Sequence, residues 1–203
     1  MGLILGVAGA DPAPSVVRLA GLAGLVAGAI SMAAGEYNSM KVQSELLERE
    51  LAMEQRELHH RPEHETAELA TIYEQRGIDA DHARDLAEAM MRDPEVALET
   101  HAREELGIDP AQLGSPIGAG VFSFLAFSVG ALVPLLPWFF SSGAGAIVAS
   151  LVLGVVAATV VGVLIARSTD RPLSWAITRQ ILFTLVPAAI TFAIGSALGV
   201  STA

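Results

Sequence analysis

The sequence predicts an all-α membrane protein of about five transmembrane helices, the first truncated, with an acidic helical unit between the second and third. Three observations lead there. Of 203 residues, 52% are apolar and 17% charged, with a mean hydropathy of +0.51, whereas soluble domains carry about 25% charged residues. The charge is partitioned: residues 41–113 hold eight of the 12 Lys and Arg, 19 of the 22 Asp and Glu and all five His, a net of −11 within a chain of net −10. The remainder contains long uncharged stretches. Absence of cysteine removes disulfides, thiolate metal sites and thiol nucleophiles. The acid excess removes nucleic acid as a partner, because phosphate binding needs clustered Lys and Arg.

Residues 117–140, 143–166 and 181–203 are uncharged and long enough to cross a hydrocarbon core of about 30 Å at about 1.5 Å per residue. Residues 16–37 form a fourth span, flawed only by Arg18 and Glu36. The opening stretch 1–10 would reach only about 15 Å as a helix. No Lys or Arg precedes Arg18, so it lacks a signal peptide's basic region and reads as part of a first membrane helix whose beginning is missing. Three Arg in 167–179 against none near Ser141 and Ser142 place that loop, and the acidic insert two spans away, in the cytoplasm. The expected division is therefore 1–40, 41–113 and 114–203. Gly24 with Gly28 and Gly195 with Gly199 recur at a spacing of four; they either let helices approach closely, within a homodimer for example, or reflect the ordinary composition of membrane helices.

In the insert, residues 42–60 continue the preceding membrane helix. Pro62 kinks that helix or starts a new one, which stops at Gly77. Asp79 or Asp81 caps a third helix to about Arg92, and Asp93-Pro94 opens a fourth that ends at Gly107. On an unbroken helix Glu54, Glu57, Glu65 and Glu68 fall within about 60° of one face; a break at Pro62 leaves two pairs at i, i+3. Such pairs repel unless a cation lies between them, and a solvated acidic face is the alternative. His101 and Glu105 stand at i, i+4 with Glu104 beside them, a donor set suited to Mn²⁺ or Fe²⁺, or else an ordinary ion pair. Met90 and Met91 read as core. His60-Arg61-Pro62-Glu63-His64 fits an inverted zinc-peptidase pattern, but Pro62 disrupts the helix it needs. Asp79, Asp81 and Asp85 lack the glycine and terminal Glu of a calcium loop.

Glu36 is the one carboxylate within a hydrophobic span, with Met32 a turn before it and Met40 a turn after. A charge there is costly, which marks a functional site, although a position at the interface would let it reach water. Carboxylate and thioether together suit transient binding of Fe²⁺, and protonation of Glu36 would release it.

Four passages, Ser31-Met32-Ala33-Ala34-Gly35-Glu36-Tyr37, Glu105-Leu106-Gly107, Ser123-Phe124-Leu125-Ala126-Phe127 and Gly130-Ala131-Leu132-Val133-Pro134-Leu135-Leu136-Pro137, occur in an order that resembles the vacuolar iron transporter family. The resemblance implies a homodimer with five membrane helices per subunit that exchanges cytosolic Fe²⁺ or Mn²⁺ for protons; short loops without a targeting signal are what is expected of a bacterial-type member in a cell (inner) membrane. It implies no prosthetic group and no enzymatic activity. Its partners would be the lipid bilayer, divalent metal ions and protons. It also implies a cytoplasmic metal-binding domain between helices two and three, in which Glu54, Glu57, Glu65 and Glu68 match the family's glutamate steps of three, eight and three. Glu105 matches a further ligand, but His101 and Ala102 stand where the family has methionines. Glu36 and Met32 match the membrane site. The family's first-helix Asp-Gly precedes the point where this chain begins, and Asp11 lies at the wrong end to replace it, so impaired transport is expected unless the native start lies upstream. The competing expectations are a non-transporting membrane protein whose insert senses metal or docks a basic partner, and a membrane hydrolase on the weak peptidase pattern.

Overall fold

The computed structural model describes residues 1–112 and 114–200. Leu113, the end of the expected insert, and 201–203, the end of the expected last span, lie outside the described residues. The chain is helical: α1 (Gly2–Gly9), α2 (Pro14–His60), α3 (Pro62–Gln75), α4 (Ala80–Met90), α5 (Pro94–Glu104), α6 (Pro116–Leu135), α7 (Gly143–Thr169) and α8 (Leu173–Val200). Two short 3₁₀ turns, Pro110–Gln112 and Leu136–Phe139, complete the described elements. Four helices are long and apolar enough to cross a membrane: Pro14–His60, Pro116–Phe139, Gly143–Thr169 and Leu173–Gly199. The chain divides into two units, Met1–Gly35 with Gly120–Ala203, and Glu36–Ala119.

The first unit is built on small residues. Ala146, Ser150, Gly154, Ala158, Gly162 and Ala166 form the buried face of α7 at steps of four. A Cβ at Gly162 would stand 2.7 Å from Ile177 Cα, so glycine is what lets α7 and α8 touch backbone to backbone. Along α1 and α8, a Cβ at Gly195 would overlap the Gly6 carbonyl oxygen, and one at Gly199 would lie 2.6 Å from Ala10 Cα. Gly24 and Gly28 instead admit the side chains of Leu3 and Phe127. Both glycine pairs are thus used within one chain. Ile4, Ala8, Val17, Leu135, Trp138 and Ala146 form the core. Trp138 Nε1 donates to Ser150 Oγ at 3.1 Å, and that hydroxyl donates to the Pro134 carbonyl at 2.7 Å, so the polar groups buried there are satisfied. Large apolar side chains such as Leu19, Phe122 and Phe183 point outward, at 70–76% exposure, as a lipid solvent requires.

One local expectation changes here. The Arg-bearing connection is not a loop over 167–179: α7 continues through Arg167 to Thr169, and α8 begins at Leu173, so Arg167 and Arg179 are helical. Helical hydrogen bonding carries past the last apolar residue because Arg is itself a good helix former. The turn is made by Asp170 at φ 50°, where the Arg171 N–H donates to the Ala166 carbonyl.

In the second unit, α2 runs unbroken to His60 and stops at Arg61 (φ −137°, ψ 49°), with Pro62 at the first position of α3. The glutamates of 54–68 therefore lie on two helices, and the one-face arrangement of a continuous helix does not form. Gly77, at φ +95°, reverses the chain after α3. The Asp79 carboxylate accepts from the N–H groups of Asp81 and His82 to cap α4, and Asp93 accepts from Glu95 and Val96 to cap α5. Leu69, Ala70, Tyr73, Ala83 and Ala87 pack α3 against α4, with Leu86 and Met90 alongside. Arg76 pairs with the Glu104 carboxylate and also donates to the Glu104 carbonyl at 3.4 Å, tying the end of α3 to that of α5.

Candidate metal centre

Three helices of the second unit bring their carboxylates and one imidazole together. Glu54 comes from α2, Glu65 from α3, His101 from α5 and Glu105 from the residue that ends α5. One donor atom from each lies within 4.8 Å of all the others. The capping of α5 by Asp93 fixes its register, so that Ala97, His101 and Ala102 turn inward. Glu54 is 3% exposed, Glu65 4% and His101 0%, while Glu105 keeps part of its carboxylate in solvent.

His101 Nδ1 lies 3.2 Å from Glu54 Oε1 and 3.5 Å from Glu105 Oε2. Glu54 Oε1 is buried without a hydrogen-bond donor in line, and His101 Nε2 has no partner either. Native interiors rarely leave such atoms unpaired. Burial first, and then the negative charges of Glu105, Glu65, Glu57 and Glu68, push the Glu54 carboxyl up to about 7. Glu105 is also raised, by burial and by Glu68, against a lowering contribution from its hydrogen bond with His101. The cluster therefore gathers carboxylates that raise one another's affinity for a proton, with donor atoms close enough together to hold a cation.

A second group shares Glu65: the exposed His64 has its Nδ1 3.5 Å from Glu65 Oε1 and 3.8 Å from Glu68 Oε2. In the sequence His64 stands out only through the peptidase pattern, but its i, i+4 relation to Glu68 is the signal for this pairing. That pattern has no structural counterpart, since His60 ends α2 with its Nδ1 2.7 Å from the Arg56 carbonyl oxygen, while His64 belongs to α3. Glu57 is exposed and outside both groups, as are Glu36 and Met32 in the single chain.

The VIT family profile matches residues 1–196. The chain belongs to the VIT family. Among its relatives, Vacuolar iron transporter 1 of Oryza sativa subsp. japonica is 34% identical over 98% of this chain and 79% of the relative. Vacuolar iron transporter 1 of Arabidopsis thaliana is 34% identical over 79% of this chain and 64% of the relative. Vacuolar iron transporter of Acanthamoeba castellanii is 42% identical, over 59% of this chain and 45% of that protein, so this VIT-family chain matches less than half the length of that relative. It is a membrane protein, with four helices fit to cross a bilayer.

Proposed function

We propose that this VIT-family chain is a metal transporter, not an enzyme, that moves Fe²⁺ or Mn²⁺ out of the cytoplasm in exchange for protons. Residues 41–113 act as its cytoplasmic metal-binding domain, between membrane segments at 1–40 and 114–203 of a cell (inner) membrane. The observation that carries this reading is the convergence of Glu54, Glu65, His101 and Glu105 around a buried, unpartnered carboxylate oxygen, Glu54 Oε1, in a chain whose relatives bear the name vacuolar iron transporter. In this reading the insert collects divalent cations, with Glu57 and Glu68 as outer carboxylates of the same site. Glu36 and Met32 receive the ion at the membrane, where a second copy of the chain in a homodimer covers their exposed face. A carboxylate that binds either a metal ion or a proton, but not both, links the two movements at Glu36.

Reconstitution into liposomes of the protein with a complete first membrane helix tests this. An imposed proton gradient should drive Fe²⁺ and Mn²⁺ flux, with protons moving the opposite way, and Glu36→Gln should abolish it. Metal binding without flux in folded, reconstituted protein would favour a sensor instead.

A further inference from the structure

His101 holds an unusual place in the cluster: it is fully buried, its Nδ1 faces Glu54 and Glu105, and its Nε2 has no partner. The orphaned atom that faces the cluster is Glu54 Oε1, which Nδ1 approaches without making a hydrogen bond. Donors around a four-coordinate ion with bonds of about 2.0–2.1 Å stand about 3.3–3.4 Å apart. The 3.2 and 3.5 Å separations from His101 Nδ1 bracket that edge length. The ring nitrogen is therefore spaced from two carboxylate oxygens as it would be if all three bound one ion.

We infer that His101 sets the metal preference of this centre: one imidazole among three carboxylates favours borderline ions, Fe²⁺, Co²⁺ and Zn²⁺, over the hard ions Mn²⁺, Mg²⁺ and Ca²⁺. The reason is chemical. Carboxylates alone suit Mg²⁺, Ca²⁺ and Mn²⁺, whereas a neutral imidazole nitrogen is a good ligand for iron and zinc and a poor one for the alkaline earths. Burial strengthens the effect, because a fully enclosed ring is not readily replaced by water in the coordination shell. The inference rests on the metal-binding reading above and narrows it from Fe²⁺ or Mn²⁺ to Fe²⁺.

The test is equilibrium binding to the full chain in detergent, stripped with chelator, using Fe²⁺ without oxygen, Co²⁺, Zn²⁺ and Mn²⁺, for wild type, His101→Gln and Glu54→Gln. Loss of the imidazole should weaken Fe²⁺, Co²⁺ and Zn²⁺ by at least about tenfold and Mn²⁺ by no more than about threefold. If Glu54→Gln weakens all four ions but His101→Gln weakens them equally or not at all, the selectivity inference is overturned while the site stands. If Glu54→Gln changes nothing, the metal-binding reading fails and takes the inference with it. Should His101→Gln not fold, X-ray absorption at the cobalt edge on His64→Gln protein with one Co²⁺ bound decides the matter, since the exposed His64 is then absent. Imidazole scattering is expected; a shell of oxygens alone overturns the inference.

Discussion

His101 Nδ1 stands 3.2 Å from Glu54 Oε1, with both side chains buried, so an imidazole from α5 meets a carboxylate from α2 out of contact with water. Neither is a satisfied pair, since Glu54 Oε1 and His101 Nε2 both lack hydrogen bonds. Charge and burial at this contact govern how stability and metal affinity respond to pH.

Stability of the metal-free protein should fall as pH rises. Folded Glu54 keeps its proton to about pH 7, against an ordinary value of 4.5. Between those values the folded state binds the extra proton, so Glu54's contribution is complete below about pH 4.5 and lost by about pH 7, at most about 3 kcal/mol. Thermal unfolding in chelator at pH 5 and pH 8 should show this slope in wild type, and Glu54→Gln should reduce it.

Metal binding should run the other way with pH. An ion must displace the Glu54 proton, so affinity falls by up to about tenfold per pH unit below pH 7. Calorimetry in buffers of different ionisation enthalpy should detect proton release on Zn²⁺ or Mn²⁺ binding at pH 6, and less at pH 8.

Leu69→Ala removes a fully buried side chain from the small core of the second unit. A loss of about 2–5 kcal/mol is expected. Saturating divalent ion should restore much of it, because an ion that binds only the folded form adds stability by mass action. Thermal melts with and without metal check both parts.

Glycines differ sharply in tolerance. Gly195→Ala places a methyl group against the Gly6 carbonyl oxygen, whereas a Cβ at Gly35 meets nothing within 4 Å. The first should cost about 1–3 kcal/mol or more, and the second should be neutral or mildly stabilising. Melting temperatures in detergent would separate them.

Local rules made much of this molecule readable from its sequence. Pro62 opens a helix because proline gives up no hydrogen bond at that position. Asp79 and Asp93 cap their helices because a short carboxylate reaches the free N–H groups there. The spacing rule that grouped Glu54 with Glu57 could not say which of them turns inward. They stand about 60° apart on α2, and only tertiary packing decides that Glu54 is buried and Glu57 exposed. Nor could sequence place His101 beside Glu54, 47 positions away, since that contact depends on how α5 packs. The Arg-bearing turn is shorter than hydropathy suggests, because hydropathy marks the end of an apolar run, not the end of a helix.

The central claim is that the buried cluster holds a divalent cation, and direct binding measures it. The folded Glu54→Gln, Glu65→Gln double variant should lose its tightest Fe²⁺ or Co²⁺ site, while Glu57→Gln, changed at an exposed carboxylate, should retain it with modestly lower affinity. A folded double variant that binds these ions as tightly as wild type would contradict the account.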